Sequence, residues 1–473
     1  MDLAAARQCF PLATPAGLQN LERLRQHPDA PRWTHLVGDH VRAEDLASVE
    51  AFRASAQPAP AADRHQPPPA LLDWIVRTRA RVARWRALVP DVAVLERDWP
   101  SIPTLRREDL AARIETLVPE DESLERLIVY ETSGTTGHAL RVPHHPRAVA
   151  QLHVLAERAL AWHGVQVRRG PEAVACMNLH AQARLWVYPS LFSVWGEAAF
   201  ARLNLSPRDW PGGMASAARF VSALDPGFLS GDPTSLSELL RLDVPARPAA
   251  LLSTAVALAP PLRRALSERY ACPVLDWYST TETGPIACSK PDGAGDGDLA
   301  GLAILAPDLF VELLDPEGRP VPDGARGEIT VTGGRNPYLP LLRYRTGDFA
   351  RWMAVTGPDG VVEWRLADLE GRAAVSFRAD DGSPVNPVDV GRALRGRFAV
   401  LQHAFTQEAD GSCRVVLRPA SGIPVDPAQV AAELRSLFGN GTPIEVSIDP
   451  DLGRGRDGKV VPYRSALGGA HPP

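Results

Sequence analysis

Short apolar runs alternate with stretches of helical periodicity between about residues 125 and 280, and this alternation limits the fold more than any other feature of the sequence. The runs LIVY (127–130), AVACMNL (173–179) and PVLDWY (273–278) are typical of buried strands, and a helical stretch at about 147–163 separates the first two. Strands that alternate with helices favour an α/β fold in which helices cover a largely buried sheet.

The pattern becomes β-rich after about residue 300, where short strands are joined by tight turns such as Asp315–Gly318 and Asp323–Gly324. After Gly371 the chain has a short, mixed α+β pattern. We therefore predict an α/β protein with two domains. A large N-terminal domain (1–370) contains layered α/β sheets and a β-rich subdomain, and a small, mobile α+β C-terminal domain occupies 371–473.

Charge and hydropathy exclude several classes of partner. The 473 residues carry a formal net charge of −5, which gives no general basic surface for nucleic acid. The apolar stretches fall short of the ~20 residues that a membrane helix needs, and the N-terminal MDLAAARQCF lacks the apolar segment of a signal peptide. The five cysteines are scattered and never spaced C-x-x-C, which is typical of a reducing compartment. We expect a cytoplasmic protein that binds neither nucleic acid nor membranes.

The segment TSGTTG (132–137) follows the first apolar run and precedes a helical stretch. Its glycines let the backbone curve around a ligand, and its hydroxyl and backbone N–H groups can bind a polyphosphate. No Gly-Lys-Ser/Thr sequence follows, so the loop is not that of an ordinary P-loop kinase or GTPase. A simple turn rich in Ser, Thr and Gly is the alternative interpretation.

A second polar segment, WYSTTETGP (277–285), follows another apolar run and places threonine hydroxyls and one carboxylate at a strand end. Glu282 can bind Mg²⁺, which prefers one or two carboxylates together with phosphate oxygens, and Tyr278 can stack on a purine. Taken alone, this segment is more simply interpreted as a helix cap, with Thr280 or Thr281 as the capping residue.

The segment LLRYRTGDFARW (341–352) predicts a strand, a tight turn at Thr346–Gly347 and a second strand. Asp348 directly after that turn can accept two hydrogen bonds from vicinal hydroxyls, such as those of a ribose. An ordinary β-turn, in which Asp348 bonds to its own backbone, remains open.

Lysine is rare in this chain. The 51 basic residues include only Lys290 and Lys459, which leaves 51 − 2 = 49 arginines. A lysine is expected to persist where a compact ammonium is needed and the wide guanidinium fork does not fit. Lys459 lies in the Gly- and Arg-rich loop GRGRDGKVVPYR (453–464) and is the candidate for a function, whereas Lys290 is interpreted as a surface residue. A solvated basic tail is the alternative for this loop.

In this order, the motifs resemble those of the adenylate-forming superfamily of acyl/aryl-CoA synthetases, adenylation domains and luciferases, and phenylacetate–CoA ligase-like members are most similar. The resemblance rests on TSGTTG (132–137), YSTTE (278–282), YRTGD (344–348), GR (371–372) and the lysine of DGK (457–459). The segment SIPTLRREDL (101–110) also resembles one that precedes the core in that subgroup. The resemblance implies a two-step ligase in which ATP·Mg²⁺ and a carboxylic acid give an acyl-adenylate, from which a thiol or amine then displaces AMP.

The resemblance also implies a role for each motif residue. Thr281 contacts the α-phosphate, Glu282 binds Mg²⁺, and Lys459 bridges the carboxylate and the α-phosphate. The residues expected to bind ATP are Ser133, Gly134, Thr135, Thr136 and Gly137 for the β- and γ-phosphates, Ser253, Thr254, Ala255 and Tyr278 for the adenine, and Asp348 with Arg372 for the ribose.

The acid is expected to bind in the segment 179–196, where aromatic side chains can form an apolar pocket and favour an aromatic acid. These side chains are Trp186, Tyr188, Phe192 and Trp195. Core packing is the alternative. The expected acceptor is a thiol, either CoA or the phosphopantetheine of an acyl carrier protein. An amide synthetase with an amine acceptor and a degenerate nucleotide-binding protein without turnover are the rival functions.

Overall fold

A computed structural model describes residues 7–55, 64–89, 91–131, 140–182, 185–256, 258, 260–291, 301–305, 308–357, 360–370, 375, 377–398, 400–419, 424–452 and 462–467. Its helices are α1 (Pro15–Arg25), α2 (Ala43–Ala54), α3 (Pro69–Arg79), α4 (Ala83–Leu88), α5 (Val94–Arg97), α6 (Arg107–Arg113), α7 (Pro146–Trp162), α8 (Met214–Leu224), α9 (Pro233–Arg241), α10 (Pro260–Tyr270), α11 (Pro387–Arg397) and α12 (Pro427–Phe438). Single 3₁₀ turns occur at Trp99–Ser101, Ile114–Thr116, Ser193–Trp195 and Pro207–Asp209.

The strands up to residue 370 form one large sheet and one separate hairpin. The strands are β1 (Ile128–Glu131), β2 (Arg141–His144), β3 (Val174–His180), β4 (Tyr188–Phe192), β5 (Ala198–Asn204), β6 (Phe228–Gly231), β7 (Leu251–Ser253), β8 (Val274–Thr280), β9 (Gly284–Ser289), β10 (Leu302–Ile304), β11 (Leu309–Leu314), β12 (Arg326–Gly333), β13 (Leu341–Thr356) and β14 (Val362–Glu370). The 12-stranded sheet has the order β11-β12-β13-β14-β10-β9-β8-β7-β6-β3-β5-β4. Neighbours from β5 through β3, β6 and β7 to β8 are parallel, and the remaining pairs are antiparallel.

The parallel strands are buried because helices cover both faces of the sheet. On β3, Met177 and Leu179 pack with α1, α8, α9 and α10, whereas Cys176 on the opposite face packs with α2 and α7. This alternation follows from the two-residue period of a strand. The predicted α/β class, with helices layered on a large central sheet, is confirmed.

Two local predictions are wrong. The run LIVY does not enter the large sheet, because β1 pairs with β2 in a separate hairpin and exposes Val129 and Tyr130. Nor is there a hairpin at Thr346–Gly347, since β13 continues through these residues between β12 and β14. The register between β12 and β13 shifts there, and Gly347 has φ +82°, so the glycine forms a bulge inside one long strand.

The segment after residue 375 contributes its own strands and helices. A short pair, β15 (Phe377–Arg378) and β16 (Pro384–Val385), precedes a 4-stranded sheet of β17 (Val400–Gln407), β18 (Cys413–Pro419), β19 (Ile444–Ile448) and β20 (Tyr463–Ser465) in the order β19-β18-β17-β20. The apolar residues of this segment form a hydrophobic cluster with α11 and α12. A contact with the preceding part of the chain is the hydrogen bond from Asn386 Nδ2 to the carbonyl of Ala181, at 3.3 Å. The division at 370/371 remains a prediction.

None of the helices in the described ranges is long and apolar enough to cross a membrane.

Candidate active site

The carboxyl ends of the parallel strands share one edge of the sheet, which is where open α/β sheets bind ligands. The loop Ser253–Ala255 begins at the end of β7, and the backbone N–H of Thr254 donates to the carbonyl of Gly231 on the neighbouring strand at 2.9 Å. Ala255 adopts a left-handed conformation with φ +75°, which is costly for a residue with a Cβ and is held by the surrounding structure. The Ser253 hydroxyl is buried without a hydrogen-bond partner among the described residues. This loop is the predicted adenine contact.

The β1–β2 hairpin is fixed to the second polar segment by His144. Its register pairs Glu131 with Arg141, and these two residues flank the predicted phosphate loop. His144 Nε2 lies 3.1 Å from the backbone carbonyl of Thr281. Burial lowers the pKa of His144 from 6.5 to about 4, so the ring is neutral at pH 7 and donates from Nε2. This contact holds the end of the hairpin formed by Ile128 and His144 next to Thr281.

Glu282 is only 4% exposed, and its charge is balanced by an arginine that the sequence analysis did not single out. Arg107 Nη1 donates to Oε1 of Glu282 at 2.8 Å. Tyr344 also contacts this carboxylate, and burial together with Glu282 raises the tyrosine pKa well above its ordinary value. Arg107 stands in the segment SIPTLRREDL, but its partner lies 175 residues away. Local sequence pattern could not reveal such a pair.

Backbone pairing with β13 sets the position of Arg107. The N–H of Leu105 donates to the carbonyl of Arg343 at 3.0 Å, and the N–H of Arg345 donates to the carbonyl of Leu105 at 2.8 Å. The first turn of α6 follows directly, so Arg107 is directed toward Glu282. Residues 104–106 are extended or paired with β13, so the helix begins only at Arg107.

Tyr278 and Asp348, which the sequence assigned to adenine and ribose, are in direct contact. The Tyr278 hydroxyl donates to Oδ2 of Asp348 at 3.0 Å and lies 3.3 Å from Oγ1 of Thr346. Burial, followed by the nearby Asp348, raises the pKa of Tyr278 well above its ordinary value, so the phenol stays protonated and donates. The bulge at Gly347 brings Asp348 within reach of this hydroxyl.

The arrangement fits a magnesium ion that arrives with phosphate ligands. Within the described ranges, no group of three or more His, Cys, Asp or Glu side chains could hold a metal by itself. Glu282 offers one carboxylate beside Thr281, and Mg²⁺ can take its remaining ligands from phosphate oxygens and water. One carboxylate oxygen is already hydrogen-bonded to Arg107, so Glu282 can serve as at most a monodentate ligand while that bond is kept.

Of the four aromatic residues predicted for the acid pocket, Phe192 and Trp195 are in direct contact, with ring centroids 5.3 Å apart. Trp186 is 59% exposed and stacks on His35 with a centroid distance of 4.2 Å. Trp195 is a core residue whose indole N–H donates to Glu157 at 2.6 Å. Tyr188 and Phe192 share a neighbour that the sequence analysis did not name, Phe200, at centroid distances of 6.2 and 4.8 Å.

Several predicted site residues lie outside the described part of the chain. These residues are Ser133, Gly134, Thr135, Thr136, Gly137, Arg372 and Lys459.

Comparison with known proteins identifies relatives of this chain. The family described as AMP-binding enzyme matches residues 41–336, which is more than half of the chain. Phenylacetate-coenzyme A ligase from Aromatoleum evansii is 30% identical over 114 residues, which are 24% of each chain. The same enzyme from Pseudomonas putida is 33% identical over 97 residues, 20% of this chain and 21% of the ligase. These alignments thus span less than a quarter of the two ligases.

A solved structure of 2-hydroxyisobutyryl-CoA ligase in complex with 2-HIB-AMP and CoA superimposes with a TM-score of 0.56. The superposition covers 88% of this chain and 95% of that chain at 17% sequence identity, and therefore shows a shared fold.

Proposed function

Since the chain belongs to the AMP-binding enzyme family, we propose that it is an ATP-dependent ligase that activates a carboxylic acid as an acyl-adenylate and transfers the acyl group to the thiol of CoA. The observation that carries this proposal is that direct contacts join three separated parts of the chain: the β1–β2 hairpin, the segment 277–285 and strand β13. His144 connects the β1–β2 hairpin to Thr281 at 3.1 Å, and Tyr278 connects the same segment to Asp348 at 3.0 Å.

In the first step, a carboxylate oxygen of the acid attacks the α-phosphorus of ATP, and the bond to pyrophosphate breaks. Asp348, held by the Tyr278 hydroxyl, accepts hydrogen bonds from the ribose. The Thr281 hydroxyl donates to the α-phosphate, and the ammonium of Lys459 bridges that phosphate and the carboxylate. Preorganised donors of this kind stabilise the negative charge that gathers at the transition state.

Glu282 is the residue that would hold Mg²⁺, and the bound ion would offset phosphate charge. Arg107 keeps the Glu282 carboxylate in place at 2.8 Å. In the second step, the thiol loses its proton to solvent and the resulting thiolate attacks the acyl carbon. The bond between that carbon and the AMP oxygen breaks, and AMP leaves.

The names of the relatives and the aromatic residues support the proposed acceptor and acid. The matched relatives in Aromatoleum evansii and Pseudomonas putida are named phenylacetate-coenzyme A ligases, which supports CoA as acceptor and an aromatic acid as substrate. The partly buried cluster of Tyr188, Phe192 and Phe200 offers an apolar surface for such an acid. A carrier-protein phosphopantetheine is the other thiol that this chemistry accepts.

The test is acid-dependent exchange of labelled pyrophosphate into ATP, measured with a panel of aryl, fatty and amino acids. We expect exchange that requires both the acid and Mg²⁺. Product mass spectrometry with CoA, a phosphopantetheinyl protein or amines then identifies the acceptor, and we expect the CoA thioester. Absence of exchange across the whole panel, with ATP binding retained, would instead support a nucleotide-binding protein without turnover.

A further inference from the structure

A row of polar side chains crosses four neighbouring strands at the carboxyl edge of the sheet. Arg202 on β5 is the register partner of Tyr188 on β4 and of Asn178 on β3, and Asn178 is in turn the partner of Ser230 on β6. Register partners point to the same face of a sheet. Asn178 Nδ2 donates to the Ser230 hydroxyl at 2.8 Å and completes the row.

The charge of Arg202 has no carboxylate partner among the described residues. The side chain is partly buried, and its Nε lies 3.3 Å from Nε2 of His180, which also bonds to Asn178. Several other buried arginines of this chain pair with a carboxylate, as in Arg335–Asp308 and Arg345–Glu328. A desolvated charge is costly unless an opposite charge or strong hydrogen bonds compensate it. Arg202 therefore has unused capacity to bind an anion.

The surroundings of Arg202 connect it with the candidate site. Two residues earlier on the same strand and the same face lies Phe200, whose ring contacts Tyr188 and Phe192. Tyr130 of β1 interacts electrostatically with both Tyr188 and Arg202. The Tyr130 ring is 4.9 Å from that of His144, which bonds to Thr281. An acid whose activated carboxyl group lies at Thr281 can thus extend along the aromatic residues toward Arg202.

We propose that Arg202 binds a second anionic group of the substrate, so that the preferred substrates are dicarboxylic acids whose apolar body packs against Phe200 and Tyr188. The inference rests on the proposed function, since it assigns the substrate class of the same site. The planar guanidinium suits a carboxylate because its parallel N–H groups can bind both oxygens.

The test compares matched acids on the same enzyme preparation: phenylacetate with 1,4-phenylenediacetate, and hexanoate with adipate. For each pair, kcat/KM in pyrophosphate exchange gives a ratio of dicarboxylate to monocarboxylate that does not depend on the fraction of folded enzyme. We expect the wild-type ratio to favour the dicarboxylate, and Arg202→Met to lower that ratio by about 10- to 100-fold, the size of a lost charged hydrogen bond. Arg202→Lys should retain part of the ratio because it keeps the charge but not the fork.

Arg208→Met is the matched control, because Arg208 is exposed six residues further along the chain, and its ratio should equal that of the wild type. A ratio unchanged in Arg202→Met would overturn the proposal. So would an equal fall for both acids of a pair, since Arg202 would then bind the carboxylate that is activated.

Calorimetric binding of 1,4-phenylenediacetate separates this inference from the proposed function. Binding by the wild type that is lost in Arg202→Met, without exchange activity, supports the anion site and contradicts the ligase. Absence of both binding and exchange contradicts both proposals.

Discussion

The charged side chains at the two ends of the candidate site differ in whether they have partners within the protein. At the end proposed to bind the nucleotide, the Glu282 carboxylate is paired with Arg107 and Asp348 is held by the Tyr278 hydroxyl. At the end proposed to bind the acid, Arg202 has no carboxylate partner in the described part of the chain. Paired groups are fixed before the substrate arrives, and such preorganisation favours a ligand that is the same in every turnover. An unpaired charge selects a ligand that brings the opposite charge.

The largest expected effect concerns the cation that the sequence predicts for the nucleotide end. Lys459→Ala should lower pyrophosphate exchange by about 100- to 1,000-fold, the usual effect of removing one donor that stabilises transition-state charge, while ATP binding is retained. The other lysine is a matched control, because the Lys290 ammonium bonds to Glu363 at 2.8 Å and should be dispensable. Unchanged exchange in Lys459→Ala would remove this residue from the mechanism.

The pairing of Glu282 can be broken directly. Arg107→Met leaves a carboxylate that is 4% exposed without its partner, and urea denaturation should show a loss of about 3–5 kcal/mol in the free energy of unfolding. The double variant Arg107→Met/Glu282→Gln should recover part of that loss. As a control, Arg113→Met removes an exposed ion pair with Glu115 and should cost less than about 1 kcal/mol. Equal losses in both arginine variants would contradict a special role for the buried pair.

The His144–Thr281 contact predicts a pH dependence of stability. The pKa of His144 is about 4 in the folded protein, below the ordinary 6.5. The unfolded chain therefore takes up the proton first, and the free energy of unfolding should fall as pH decreases from 6.5 to 4, by about 2–3 kcal/mol from this residue. His144→Gln should flatten the curve in this window when unfolding is followed at several pH values. A slope identical to that of the wild type would show that His144 already takes up a proton near its ordinary pKa.

The smallest expected effect sharpens the contrast between the two ends. Tyr278→Phe removes the donor that orients Asp348 and should raise KM for ATP about five-fold, the equivalent of about 1 kcal/mol, without changing KM for the acid. Tyr270→Phe removes a hydroxyl bonded to the Leu239 carbonyl in a different core cluster and should change neither constant. A rise in KM for the acid in Tyr278→Phe would mean that the two ends are not independent.

The elements that sequence predicts best here are those with strong local periodicity. The apolar runs 173–179 and 273–278 become buried strands β3 and β8 of the parallel region, because each carries almost unbroken apolar residues. The run 127–130 is equally apolar but does not enter the parallel region, because hydropathy alone does not specify which strand it pairs with. Its strand pairs only with β2 in the described residues, so no helix-covered sheet buries it.

The site itself could be predicted only in part, because its contacts join distant segments. The motif residues Tyr278 and Asp348 come together across 70 positions, and their individual roles were suggested by resemblance. The sequence did not reveal roles for Arg107 and Arg202. Arg107 is distinguished by its contact with a carboxylate 175 residues away, and Arg202 by the absence of a carboxylate partner in the described structure. A local sequence pattern indicates neither property.

The most direct test of the account is the fate of the carboxylate oxygens. With an acid labelled with ¹⁸O in its carboxyl group, ATP and CoA, attack on the α-phosphorus followed by cleavage at the acyl carbon transfers one carboxylate oxygen to the nucleotide. We predict AMP that carries one ¹⁸O atom, detected by mass spectrometry, with release of pyrophosphate. Formation of ADP and labelled phosphate, or of AMP without the label, would contradict an acyl-adenylate intermediate.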